Sequence, residues 1–250
     1  MMRGVWDRVP SVVRRPVVWS LRSEWIRLRL LDRLGIRDQS DFYPLSNGGC
    51  QAIDIAMDRL QKANLEGDYL EFGLYRGYTF WYAQQAANLV GRSSMRFYGF
   101  DSFEGLPEVE GPDRKAAIFI SGDYRCTKLD VERQLSHHGF DWSRAGLVEG
   151  YFDDSLTSDV KKNLKIEKAA LVMVDCDLYQ STVPVLSFLA DVMQDGTVIL
   201  FDDWYCFGES ADQGEPRAFQ EFLEAHPEWK ADAFLRFPTY GKGFIMRSNQ

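Results

Sequence analysis

Cysteine is scarce in this chain and forms no pattern. Cys50, Cys126, Cys176 and Cys206 include no C-x-x-C pair and no even framework, which excludes a structural zinc site and a disulfide scaffold and suits a reducing, cytoplasmic setting. Histidine is equally sparse. His137 and His138 are adjacent, so their side chains diverge and make a poor metal pair; at a helix end they suit its dipole instead. No apolar run approaches the ~18 residues that would span a bilayer. Val9 to Leu21 is interrupted by Arg14, Arg15 and two prolines and is expected to be a poor signal peptide. Positive charge is short as well: the net charge is −8, which argues against nucleic acid as the main partner. What basic charge there is concentrates at one end. Residues 1–37 hold nine Arg against Asp7, Glu24 and Asp32, a net of +6 that leaves −14 for the remainder.

What is present is ample apolar material for one α/β domain with an appendage. The expected division is an Arg-rich helical extension over 1–45 and a single domain over 46–250. From Val18 to Leu34, Leu21, Trp25, Leu28 and Leu31 share a helical face, with Arg22, Arg29 and Arg33 off it. Such a helix packs on its own domain or on a second copy, giving a homodimer, or makes a peripheral contact with an anionic membrane; packing is the preferred reading.

The domain is organised around Ala169 to Asp203. The apolar run Ala-Ala-Leu-Val-Met-Val turns acidic at Asp175-Cys-Asp177, a helical segment follows, and Thr197-Val-Ile-Leu-Phe201 ends in Asp202-Asp203. Two short β-branched runs separated by a helix read as parallel buried strands. Their C-terminal ends share one edge, so Asp175, Asp177, Asp202 and Asp203 are expected to meet. Carboxylates that close repel and raise one another's pKa unless a cation sits among them. The inference is a hard divalent ion, Mg²⁺, on oxygen ligands. The bland alternative is four acids that stop strands and cap helices.

Asp68-Tyr-Leu-Glu71-Phe-Gly73-Leu-Tyr-Arg76-Gly77 reads as a strand, a glycine turn and a helix through about Val90, and the next strand, Arg96 to Phe100, ends at Asp101. That is the opening of a doubly wound nucleotide-binding fold. Glu71 stands where a dinucleotide fingerprint has its first glycine, and it would repel a pyrophosphate. A cofactor with a ribose and a cationic amino-acid end, such as S-adenosylmethionine, meets no such obstacle. Asp101 is placed to accept from the ribose hydroxyls, and Gly73 lets backbone approach closely. Candidate cofactor residues are Glu71, Gly73, Arg76, Gly77, Asp101, Ser102, Phe152 and Asp153, with Tyr151 or Phe152 able to stack on adenine or simply to pack.

Elsewhere, residues 49–63 are amphipathic, Ser102 to Arg125 reads as a long loop, and Thr127-x-x-Asp130 opens a helix to about His138. Leu147 to Glu149 is a short strand, and a helix starts near Ser181-Thr182 with Pro184 in its first turn. Glu215 to Ala225 is helical, and 233–237 with 243–247 form a closing hairpin. No internal repeat is present.

Four motifs together, Glu71-Phe-Gly-Leu-Tyr-Arg-Gly77, Asp101-Ser-Phe-Glu-Gly-Leu-Pro107, Asp175-Cys-Asp-Leu-Tyr-Gln-Ser-Thr182 and Phe201-Asp-Asp-Trp204, make the chain from about residue 40 onward resemble the macrocin O-methyltransferase family. The resemblance implies a Rossmann-like class I methyltransferase fold, with a seven-stranded, mostly parallel sheet, a C-terminal antiparallel hairpin and helices on both faces. It also implies S-adenosylmethionine and Mg²⁺ as cofactors, and a glycoside or glycan hydroxyl as acceptor. Position by position it assigns Glu71, Gly73 and Asp101 to the cofactor and Asp175, Asp202 and Asp203 to the metal. The family's Pro-Gly-Gly turn before the fifth strand is Gln194-Asp195-Gly196 here, and the tyrosine expected after the acidic pair is Trp204. The catalytic candidates are Asp175 and Asp177, either of which could take the acceptor proton, with Asp175 slightly preferred. Trp204, Tyr205 and Phe207 could stack on an acceptor or merely pack. Two rivals stand beside this reading: a haloacid dehalogenase-like phosphohydrolase using Asp175 and Asp177, and a non-catalytic scaffold on the same fold.

Overall fold

The computed structural model describes residue 42 and residues 48–115 and 119–249. The chain divides into two units, Met1–Ser46 and Asn47–Gln250; the architecture that follows is that of the second. The helix expected within 18–34 lies outside the described residues, as do the dimer and membrane contacts it suggests.

Seven strands form one sheet in the order β3-β2-β1-β4-β5-β7-β6. They are β1 (Asp68–Phe72), β2 (Phe97–Asp101), β3 (Ala145–Glu149), β4 (Ala169–Val174), β5 (Val198–Phe201), β6 (Trp229–Phe237) and β7 (Gly241–Ser248). The first five pair in parallel, while β7 is antiparallel to both β5 and β6. Every residue of β1, β4 and β5 is buried. Strands covered on both faces have no polar side to alternate with, which is why Ala169–Val174 reads as an unbroken apolar run.

Seven α-helices accompany the sheet among the described residues: α1 (Gly48–Ala63), α2 (Tyr78–Leu89), α3 (Lys128–His137), α4 (Phe152–Ser155), α5 (Ser158–Leu164), α6 (Tyr179–Leu189) and α7 (Gly214–Ala225). None of these is long and apolar enough to cross a membrane. Strand alternation sends Leu70, Phe72, Val172 and Val174 to the face covered by Leu186, Leu189, Phe219 and Phe222 of α6 and α7. Tyr69 and Phe97 point to the other face, where Phe80 of α2 meets them at 6.2 and 6.4 Å between ring centres. Both faces are thus covered. Phe72, Phe100 and Phe201 are wholly buried, and each such ring stabilises the fold by about 1.5–3 kcal/mol.

Local signals act as expected in several places. Thr127 accepts the Asp130 N–H at 3.2 Å and caps α3, and Leu186, Leu189, Val192 and Met193 are buried against the sheet. Three boundaries differ. The third strand begins at Ala145 rather than Leu147, because its pairing with β2 extends back to Phe97. The closing hairpin runs from Trp229 to Ser248, longer than its apolar residues suggested, since ladder bonds to β7 hold its polar positions too. Helix α6 starts at Tyr179, ahead of the expected Ser181-Thr182, so Pro184 sits inside the helix instead of in its first turn. The reason lies 66 residues away: the Asp113 carboxylate accepts the Tyr179 N–H at 2.5 Å and so caps the helix early.

Candidate active site

The strand order reverses between β1 and β4, so a crevice opens at the C-terminal ends of these two strands. The hydrogen-bond ladder runs one residue past each strand there. Gly73 N–H donates to Phe100 C=O at 2.9 Å, Asp175 N–H to Phe72 C=O at 2.9 Å, and Asp202 N–H to Val174 C=O at 3.0 Å. Gly73, Asp175 and Asp202 therefore stand level across adjacent strands. Asp175, Asp202 and Asp203 each present a carboxylate oxygen, and the three atoms lie within 4.8 Å of one another. Of the four acids expected to meet, Asp175, Asp202 and Asp203 converge in this way, and Asp177 is not one of that group.

Their electrostatics explain the strain of that arrangement. Burial, then repulsion from Asp202 and Asp203, pushes the Asp175 carboxyl well above the usual carboxylate range. Asp177 is pushed up by burial and then by Asp175, an effect opposed by a hydrogen bond with the Asp203 side chain. Its backbone is also special: φ is +62°, and Leu178 N–H donates back to Cys176 C=O at 2.6 Å, closing a tight turn around it. Non-glycine residues held this way concentrate at functional sites. The first turn of α1 borders the cluster, since a Cβ on Gly49 would stand 3.7 Å from Asp202 Oδ1. The positive end of that helix dipole favours an ionised cluster.

Sequence reasoning missed two members. Glu215, in the first turn of α7, is fully buried and accepts the Asp203 N–H at 3.1 Å. It lies 12 residues beyond Asp203, inside an ordinary amphipathic helix pattern, and nothing in that pattern marks it. Tyr124 belongs to the loop after β2. Burial, followed by the charges of Asp177, Asp203 and Asp175, raises its phenol. Its ring meets Tyr75 of the glycine turn edge-on, 5.8 Å between centres.

The candidate cofactor residues lie on the elements around the same crevice, and several also bond to the protein. Glu71 is fully buried, and both its oxygens are engaged, one by the Tyr69 hydroxyl and one by Thr79 Oγ1 at 2.5 Å. Burial dominates these bonds and lifts its carboxyl to about 8. Asp101 receives the N–H groups of Leu74, Tyr75 and Phe103 at 2.6, 3.2 and 2.6 Å, so it ties the glycine turn to the end of β2. Gly73 admits the neighbouring backbone closely: a Cβ there would stand 1.8 Å from the Asp175 carbonyl oxygen. Gly77 precedes α2 at φ +76°, and Arg76 lies over the Tyr75 ring at 4.9 Å. Ser102 donates to Gly105 C=O at 2.9 Å and shapes the following loop. Phe152 packs edge-on against Phe72 at 6.0 Å, while Asp153 is exposed on α4 beyond it.

The long loops are better anchored than their composition suggests. Asp113, almost fully buried, accepts from both Tyr179 N–H and Gly214 N–H, at 2.5 and 2.9 Å. It thereby pins residues 111–115 to the starts of α6 and α7, beside the acids. Asp113→Ala leaves two buried N–H groups without an acceptor. At about 1.5–3 kcal/mol per bond to a charged group, we expect a loss of roughly 3–5 kcal/mol in urea unfolding. Of the three aromatics considered for stacking, Trp204 packs inward on Phe201, Phe219 and Phe244 at 5.2, 5.8 and 4.7 Å. Tyr205 carries the Arg236 guanidinium 3.9 Å above its ring. Phe207 meets Phe119 at 5.7 Å, joining the loops after β5 and β2.

The donor set fits a hard divalent cation: oxygen atoms only, three of them convergent, in a pocket where like charges raise one another. A family model described as macrocin-O-methyltransferase (TylF) matches residues 49–227. The chain is 27% identical over 143 residues to the 8-demethyl-8-(2,3-dimethoxy-α-L-rhamnosyl)-tetracenomycin-C 4′-O-methyltransferase of Streptomyces olivaceus, covering 55% of this chain and 53% of that one. It is 24% identical over 147 residues to the mycinamicin III 3″-O-methyltransferase of Micromonospora griseorubida, covering 56% of each. The chain thus spans about half the length of these curated relatives. Among solved structures, the O-methyltransferase NovP superposes with a TM-score of 0.67 at 20% identity, over 80% of this chain and 79% of that one; at that identity the likeness concerns the fold.

Proposed function

The chain belongs to the macrocin-O-methyltransferase family, and from that premise we propose that it transfers a methyl group from S-adenosylmethionine to a sugar hydroxyl of a glycosylated small molecule, with Mg²⁺ at Asp175, Asp202 and Asp203. The observation that carries this reading is the convergence of those three carboxylates, within 4.8 Å, on the edge that also holds the glycine turn. Two of the relatives named above are a 4′-O-methyltransferase of a rhamnosyl-tetracenomycin and a 3″-O-methyltransferase of mycinamicin III, as their names state.

The reaction breaks a carbon–sulfur bond of a sulfonium and forms a carbon–oxygen bond, releasing one proton. A sugar hydroxyl is a poor nucleophile, and a divalent ion at the three carboxylates supplies the positive charge that makes it more acidic. The chain's own residues do the rest. The β1–α2 turn, fixed by Asp101 through three backbone N–H groups, sets where the cofactor lies relative to Asp175. Asp177 is not one of the three convergent carboxylates but is hydrogen-bonded to the Asp203 side chain, and its carboxylate oxygen takes the acceptor proton. Much of the acceleration then comes from holding the oxygen in line with the methyl carbon.

Calorimetry with S-adenosylhomocysteine, with and without Mg²⁺, tests the assignment. Binding of the nucleoside together with a separate, Mg²⁺-dependent heat is the expected result. A phosphohydrolase would ignore the nucleoside, and a scaffold would show no response to the metal.

A further inference from the structure

Glu215 has an oxygen that the protein leaves unsatisfied. The side chain is fully buried. One oxygen, Oε2, accepts the Asp203 N–H at 3.1 Å, while Oε1 has no hydrogen-bond partner. Among the described residues only one other buried side-chain atom is in that state, Arg92 Nε, at the far end of the domain's chemistry, in a guanidinium that bonds the Leu65 carbonyl. A carboxylate oxygen sealed from water with nothing to bind keeps an uncompensated desolvation cost. The charges that act on Glu215 most strongly are Asp203 and Asp202, two of the three convergent acids.

From this geometry, and resting on the metal reading above, we propose that Glu215 is a fourth carboxylate of the cation site and holds the ion through one of its bound waters. The distances decide against direct ligation. Opposite ligands of Mg²⁺ at 2.0–2.1 Å stand about 4.2 Å apart, so every direct ligand lies within that span of the others. Asp175, Asp202 and Asp203 satisfy a 4.8 Å limit together, and Glu215 does not join them. Mg²⁺ characteristically keeps several waters. A water on the ion has two protons to donate, and Oε1 is a buried acceptor without a donor. The same side chain also sets the Asp203 backbone through Oε2, so Glu215 is a positioning residue for one ligand and an outer anchor for the ion.

The test is divalent-cation affinity measured by calorimetry, with Mg²⁺ and with Mn²⁺, on the full chain. Glu215→Gln keeps the shape but loses the charge and presents an N–H₂ or a weaker acceptor to the water. Outer-shell partners of metal sites typically govern 10–100-fold in affinity, and we expect a loss of at least tenfold, with S-adenosylhomocysteine binding unchanged. Glu215→Asp retracts the carboxylate by one methylene and is expected to lose affinity similarly; it serves where the amide variant folds poorly. Wild-type affinity in a folded Glu215→Gln or Glu215→Asp protein overturns the proposal while leaving the three-carboxylate site intact. A wild-type protein that binds neither cation overturns the metal reading itself, and this inference with it.

Discussion

Asp202→Asn is expected to lower turnover by about a thousandfold or more while the protein still folds and still binds S-adenosylhomocysteine. The side chain is isosteric, and its backbone N–H keeps the ladder bond to Val174 at 3.0 Å, so the strand end stays in place. What changes is the charge that the convergent triad presents. A bound cation contributes several kcal/mol to a transition state that builds negative charge on oxygen, and each 1.36 kcal/mol corresponds to a factor of ten. The variant should also become more heat-stable without metal, because one of several mutually repelling buried carboxylates is gone. Excess EDTA should reproduce the loss of turnover in the wild type. Full activity in EDTA, or in Asp202→Asn, would remove the metal from the mechanism.

Gly73→Ala is expected to cost about 3–5 kcal/mol of stability and most of the activity. Two penalties combine. At φ +88° an alanine is strained by about 1–2 kcal/mol. Its Cβ would also stand 1.8 Å from the Asp175 carbonyl oxygen, which is backbone of the neighbouring strand and cannot rotate away. Relief requires β1 and β4 to part where the acids meet, so Asp175 moves off its level with Asp202. Gly77→Ala is the control. It has a similar φ of +76°, but its Cβ would meet the end of the Val131 side chain at 3.1 Å, which can shift. We expect that variant to lose only about 1–2 kcal/mol, the strain alone. Denaturant titrations of the two proteins side by side measure the difference; equal losses would mean that the Asp175 contact is unimportant.

The strands and the acids were legible because their signals are short-range. A run such as Ala169–Val174 is apolar throughout only if both faces are covered, and acids that follow two such parallel strands share one sheet edge. The roles of Glu71, Asp101 and Gly73 were less legible. Each was expected to serve a small molecule, and each also has a partner in the protein: Glu71 under Tyr69 and Thr79, Asp101 under three backbone amides, Gly73 against Asp175. Residue type and spacing specify that a carboxylate or a missing Cβ is needed at a place. They do not specify which neighbour needs it, because that neighbour comes from another strand.

The sequence alone determined the doubly wound sheet, its closing hairpin and the meeting of Asp175, Asp202 and Asp203, since periodicity and strand direction are properties of contiguous residues. Only the tertiary structure decided that Asp113 starts α6 early, that the charges of the acids act on Tyr124, and that Glu215 enters their cluster with an unsatisfied oxygen. Each of these depends on segments distant in the chain being packed together. Hydrogen bonding and repulsion between such segments are fixed by their separation in space, which no local pattern of residue types records.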